Sequence, residues 1–119
     1  MKKILVIENE GIILLNIMTI LKSQGFNVID ADNGYTGIQL AKQFIPDLIL
    51  CNIVMIGING YEVLKELRND LITERIPFMF ITAQTTQNKV NQGQKLEANG
   101  YLTKPFTSNE LLQAIAKLL

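Results

Sequence analysis

Short apolar runs alternate along this chain with longer amphipathic stretches. The runs are Ile4-Leu5-Val6-Ile7, Asn27-Val28-Ile29, Leu48-Ile49-Leu50-Cys51, Phe78-Met79-Phe80-Ile81 and Tyr101-Leu102. Continuous runs of this length suit strands buried on both faces, as in a parallel sheet. Helical patterns lie between them. Within residues 11–24, Leu14, Ile17, Met18 and Leu21 fall at i, i+3, i+4 and i+7, and Gly25 stands where a helix would end. Residues 34–44 carry Ile38, Leu40 and Ala41, and residues 60–70 carry Val63, Leu64 and Leu67. Residues 108–119 carry Leu111, Leu112, Ile115 and Leu118 behind an N-cap at Thr107 or Ser108, with Glu110 close by. Pro46, Pro77 and Pro105 each fall at a boundary, as a missing N–H requires. Five β/α units in strict order predict an α/β fold, with a parallel sheet covered by helices on both faces. A single domain over 1–119 is expected, free-standing or part of something longer. In such folds the working residues gather at the carboxyl ends of the strands, near the topological switch point.

Composition narrows the function classes. Hydrophobic residues make up 48% and charged residues 18%, which suits a folded domain with a real core. Eleven basic and eleven acidic side chains cancel, so the clustered Lys and Arg of a nucleic-acid footprint are not expected. No apolar stretch approaches the length of a membrane span, and Met1-Lys2-Lys3 leads straight into a strand-like run rather than a signal peptide. A cytoplasmic protein without membrane contact is expected. With no histidine and one cysteine, zinc and haem sites are not expected, and Cys51 reads as a small core residue. A hydrolytic nucleophile–base pair is not evident either.

The strand ends supply the candidate chemistry. Glu8, Asn9 and Glu10 follow the first run, Asn52 ends the third, Thr82-Ala83 end the fourth, and Thr103-Lys104-Pro105 follow the fifth. The opening KKILVIE, the 30-residue step from Asn52 to Thr82, the 22-residue step from Thr82 to Lys104, and the stretches GYEVLKELR and YLTKPF form a pattern. Over essentially all 119 residues this pattern resembles the receiver domain of two-component response regulators.

The resemblance implies a doubly wound, flavodoxin-like (βα)5 sandwich with strand order 2-1-3-4-5. It implies a signalling module rather than an enzyme, whose partners are proteins: a histidine kinase, another response regulator or an output domain. A homodimer is a further option. It also implies roles for single residues. Glu8 and Asn9 stand where the family holds Mg²⁺ with an acidic pair, and the Val54 carbonyl would be a further ligand. Asn52 stands at the phosphoacceptor aspartate. Thr82 and Ala83 match phosphate-contact positions, and Tyr101 the aromatic that changes rotamer. Lys104 matches the lysine that pairs with acceptor and phosphate, and Pro105 the proline after it, often with a cis bond between them.

Two of these positions depart from the family. An amide at 52 carries no anionic oxygen to attack phosphorus, and asparagine replaces the second metal acid at 9. Mg²⁺ prefers several oxygens, some of them anionic. Here the equivalent positions hold one carboxylate, Glu8, and one ammonium, Lys104. Weak or absent Mg²⁺ binding and no phosphorylation are therefore expected, which makes this an atypical receiver acting by protein–protein contact. In that reading the domain is fixed in one state, with the fourth and fifth helices and the last strand as its contact face. An ordinary Mg²⁺-dependent receiver whose acceptor was changed in the laboratory would explain position 52 alone. It leaves Asn9 unexplained, along with Ile56 where proline is usual and Asn59 and Asn99 at places often acidic. A flavodoxin-like cofactor binder would need a phosphate-cradling loop after the first strand, and ENEGIIL offers one glycine and no Ser or Thr.

Residues 84–97, QTTQNKVNQGQKLE, offer only Val90 and Leu96 as clear apolar anchors, with Gln94 and Glu97 at places the family usually fills with an apolar residue and glycine. Two readings stay open, a short solvated helix or a segment that forms on binding a partner. Asn59-Gly60 and Asn99-Gly100 suggest tight turns with positive φ. Ile12, Ile13 and Ile20 lie off the main stripe of the first helix.

Overall fold

The computed structural model describes residues 1–83 and 98–119. The helix expected over 84–97 lies outside the described residues, as does that part of the expected contact face. The described residues form strands β1 (Lys3–Ile7), β2 (Asn27–Ala31), β3 (Leu48–Asn52), β4 (Phe78–Thr82) and β5 (Gly100–Thr103). Their helices are α1 (Gly11–Ser23), α2 (Gly34–Phe44), α3 (Gly60–Arg68) and α4 (Ser108–Leu118). All strand pairs are parallel, in the order β2-β1-β3-β4-β5, as expected.

Alternation along each strand sorts its side chains onto two cores. Leu5, Ile7, Ile49, Cys51, Phe78 and Phe80 pack with Ala41 of α2 and Val63, Leu64 and Leu67 of α3. Ile4, Val6, Leu48, Leu50, Met79 and Ile81 pack with Leu14, Ile17 and Leu21 of α1 and Leu111 and Ile115 of α4. Burial on both faces holds for β3 and β4 and for most of β1. The edge strands β2 and β5 are only partly covered. Met18 is half-buried, whereas Leu14, Ile17 and Leu21 of its stripe are buried.

Two turn assignments are corrected. Gly60 and Gly100 do not take positive φ, which among the described glycines falls at Gly25 and Gly57. Asn59 is the N-cap of α3, accepting from the Glu62 N–H at 2.9 Å while Glu62 reaches back to the Asn59 N–H at 3.0 Å. Gly60 is needed for space rather than for φ. A Cβ there would lie 2.4 Å from the Asn52 carbonyl oxygen and 2.9 Å from Ile53 Cα. Asn99 is an anchor, its Oδ1 accepting from the Phe78 N–H at 2.8 Å and from Arg68 at 3.1 Å. Thr107 rather than Ser108 caps α4, in a reciprocal pair with Glu110. Ile45, which ends α2, takes the left-handed conformation at φ +46°.

Candidate functional site: the carboxyl ends of β1 and β3

The strand order reverses direction between β1 and β3, so the crevice at their carboxyl ends is the switch point of the sheet. Asn52 is the last residue of β3 and lies only 5% exposed. Glu8 follows β1 and still donates its N–H to Ala31 of β2 at 3.0 Å, which keeps the chain extended. Continuing the alternation, Glu8 comes after Ile4 and Val6, and Asn52 after Leu48 and Leu50, so both side chains project on the same side of the sheet.

The side chains converge tightly. Asn52 Nδ2 donates to Glu8 Oε2 at 3.0 Å, to Asn9 Oδ1 at 3.0 Å and to the Val54 carbonyl at 3.1 Å. Three acceptors around one terminal atom fix which end of the amide is nitrogen. Glu8 is fully buried, and Lys104 Nζ lies 2.7 Å from its Oε1 with the lysine side chain 12% exposed. That ammonium is the partner of Oε1, while Oε2 also accepts the Glu10 N–H at 3.2 Å. The cluster is thus one carboxylate against one ammonium, with neutral amide and carbonyl groups between.

The remaining expected positions lie at the ends of β4 and β5 and in the loops that follow them. Thr82 closes β4, is buried, and accepts the Lys104 N–H on its carbonyl at 2.7 Å, which ties the lysine's backbone to the sheet. Ala83 is exposed just past that strand. Lys104 and Pro105 are joined by a cis bond. An open cleft of about 420 Å³ beside the cluster is lined by Glu10, Ile13, Asn16, Ala83, Lys104 and Phe106 among others. Tyr101 is partly buried and packs against Phe80, ring centroids 5.4 Å apart, while Tyr61 meets Phe80 edge-on at 5.2 Å. Burial, with a smaller contribution from Tyr61, pushes the Tyr101 phenol up to about 12. Cys51, buried next to Asn52, donates to the Asn52 carbonyl at 3.3 Å; burial first, and the Glu8 charge second, hold its thiol protonated.

Sequence reasoning gave Gly60 a turn role and missed its place at the site, where it lets α3 begin against the backbone of Asn52 and donates its N–H to Ile53 at 2.8 Å. The signal was there: Asn59 and Glu62 stand at N-cap and N3 spacing, the signature of a capping box.

Residues 4–116 match the model of the response regulator receiver domain. This chain belongs to that family. Receiver domains are signal-transduction modules rather than enzymes. The chain is 33% identical over 119 residues to Protein PilH of Pseudomonas aeruginosa, covering all of this chain and 98% of that one. It is 38% identical over 117 residues to the probable transcriptional regulator ycf29 of Pyropia yezoensis, covering 98% of this chain. It spans about half of that relative's length, 53%. Among solved structures, the chemotaxis protein CheY4 of Vibrio cholerae superposes with a TM-score of 0.96 at 26% identity, covering 100% of this chain and 99% of that one. The receiver domain of sensor histidine kinase PA1611 from Pseudomonas aeruginosa superposes at 0.91 and 26% identity, over 98% of this chain and 96% of that one. That structure carries a magnesium ion in its active-site cleft.

The residues of this receiver do not fit such an ion. Among the described residues, no group of three or more His, Cys, Asp and Glu could hold a metal. The oxygens of Glu8, Asn9 and Val54 are already engaged by the Asn52 amide. No helix among the described residues is long and apolar enough to cross a membrane.

Proposed function

We propose that this receiver signals by protein–protein contact without accepting a phosphoryl group. The observation that carries the reading is Asn52 itself. At the position equivalent to the acceptor it offers an amide whose nitrogen lone pair is delocalised, and that nitrogen points into the cluster as a donor. Phosphoryl transfer to a receiver needs an attacking carboxylate and a cation bridging it to the phosphoryl oxygens. Neither is supplied by Asn52 and its neighbours. Glu8, Asn9, Asn52 and Val54 form the degenerate equivalent of the acidic pocket. Thr82, Ala83, Tyr101, Lys104 and Pro105 stand for the phosphate-contact and switch positions, with Lys104 paired to Glu8.

The partners of this cytoplasmic receiver are proteins: a histidine kinase, another response regulator or an output domain. Two kinds of relative support this range, one of nearly the same length and one about twice as long. The test is intact-mass spectrometry after incubation with a small phosphodonor and Mg²⁺. The mass stays unchanged in this reading, and a stable, stoichiometric phosphoryl adduct at Asn52 overturns it.

A further inference from the structure

Loss of a nucleophile accounts for what position 52 cannot do. It does not account for where the amide nitrogen points. Nδ2 lies 3.0 to 3.1 Å from one carboxylate oxygen, one amide oxygen and one backbone carbonyl, contributed by two different strand-end loops. These are the oxygens that the family resemblance assigns to the cation. We infer that the Asn52 amide is an internal replacement for that cation: it gathers the same oxygens by hydrogen bonding and keeps the ion out. The inference rests on the reading of this chain as an unphosphorylated receiver and adds a positive structural role for Asn52.

Two features of the geometry carry it. The first is distance. Mg²⁺ holds its ligands at about 2.0–2.1 Å in near-octahedral order and gives up its water reluctantly. Three oxygens drawn around a nitrogen at 3.0 to 3.1 Å are spaced for N–H···O bonds. For an ion to enter, Asn52 must swing its nitrogen away and each oxygen must close in by about 1 Å. The second feature is charge. Glu8 is the one carboxylate in the cluster, and its other oxygen already meets the Lys104 ammonium at 2.7 Å. Asn9 and Val54 contribute only dipoles. Among the oxygens around the amide, an entering dication would find no uncompensated carboxylate and would face a fixed ammonium nearby. In a pocket with three carboxylates the ion relieves repulsion; here the amide and the lysine leave none to relieve.

The replacement also ties the fold together. Asn52 joins the end of β3 to the loop after β1 through Glu8 and Asn9, and to its own following loop through Val54. Removing the donor takes one of two N–H partners from the buried Glu8 Oε2 and unties Asn9 and Val54 from β3, and a carboxylate in its place faces Glu8 directly.

The experiment is thermal melting of wild type, Asn52→Ala, Asn52→Asp and the double change Asn9→Asp with Asn52→Asp, each in EDTA and in millimolar Mg²⁺. Wild type melts at the same temperature in both. Asn52→Ala melts lower by about 5 °C or more and ignores Mg²⁺. Asn52→Asp falls at least as far in EDTA, and the double variant recovers most when Mg²⁺ is added. Isothermal titration of wild type with Mg²⁺ gives no binding heat, which keeps the question open to measurement if a variant fails to fold. A Mg²⁺-dependent rise for wild type, or an Asn52→Ala variant as stable as wild type in EDTA, overturns the inference. The two readings fail separately. A wild type that binds Mg²⁺ but takes up no phosphoryl group sinks only the cation replacement. A phosphorylated wild type whose melting ignores Mg²⁺ sinks only the unphosphorylated receiver.

Discussion

Replacing Lys104 by methionine removes the ammonium that neutralises a fully buried carboxylate. Methionine keeps the length and most of the apolar stem, so the change reports on charge more than on packing. Glu8 is 0% exposed, and Lys104 Nζ is the partner of its Oε1 at 2.7 Å. Breaking a buried pair by deleting one partner typically costs about 3–5 kcal/mol, because the other charge stays buried. Two features place this case at the low end. Lys104 keeps 12% of its side chain in solvent, and Glu8 Oε2 retains the Asn52 and Glu10 N–H donors. The expected loss is about 3 kcal/mol. With a urea slope of about 1.5 kcal/mol/M, the unfolding midpoint falls by about 2 M. Glu8→Gln combined with Lys104→Met restores much of the loss, because a neutral amide replaces the stranded carboxylate. The double-mutant cycle then gives a coupling of about 2 kcal/mol. If Lys104→Met costs under about 1 kcal/mol, the pair behaves like a solvated surface bridge. The premise that Lys104 neutralises an otherwise stranded buried charge would then be wrong.

Three further outcomes follow from other parts of the structure. Tyr101 has its phenol pushed up by burial to about 12 from an ordinary value of about 10, so folding favours its neutral form; its contribution to stability is complete below about pH 10 and is lost between about pH 10 and 12, and Tyr101→Phe should flatten the denaturation profile in that window if the assignment is right. Ile45 holds φ +46° while 56% exposed, so Ile45→Gly sheds left-handed strain and should be neutral or stabilising by about 1 kcal/mol in urea melts, whereas a clear destabilisation would show that its packing outweighs the strain. Gly60→Ala drives a Cβ to 2.4 Å from the Asn52 carbonyl, and should cost at least about 1–3 kcal/mol and shift the amide resonances of Asn52 and Ile53 in NMR spectra; unchanged spectra would mean that α3 moves aside freely.

The alternation of apolar runs with 3.6-periodic stretches determined the strands, the described helices and the layered architecture, because each element must hide its apolar face in the only way that pattern allows. The positions of the candidate site residues were also legible, since strand ends are punctuated by a change from apolar to polar. Glu8, Asn9, Asn52, Thr82 and Lys104 all lie where that change falls. Two readings went wrong for a shared reason. Asn-Gly pairs look alike in sequence whether the glycine supplies positive φ or only space, and what decides is the neighbouring backbone. At Gly60 that neighbour is the Asn52 carbonyl, eight residues away along the chain and in contact only once β3 and α3 pack. Ile45 in the left-handed region was equally hidden, since a β-branched residue there contradicts its local preference while closing α2 with its N–H on the Ala41 carbonyl. The direction of the Asn52 amide is the furthest from sequence. The resemblance to the family puts an amide where a carboxylate is expected, but an amide can present oxygen or nitrogen. Only the convergence of three acceptors from Glu8, Asn9 and Val54 chooses nitrogen, and that convergence exists only when β1 and β3 lie side by side.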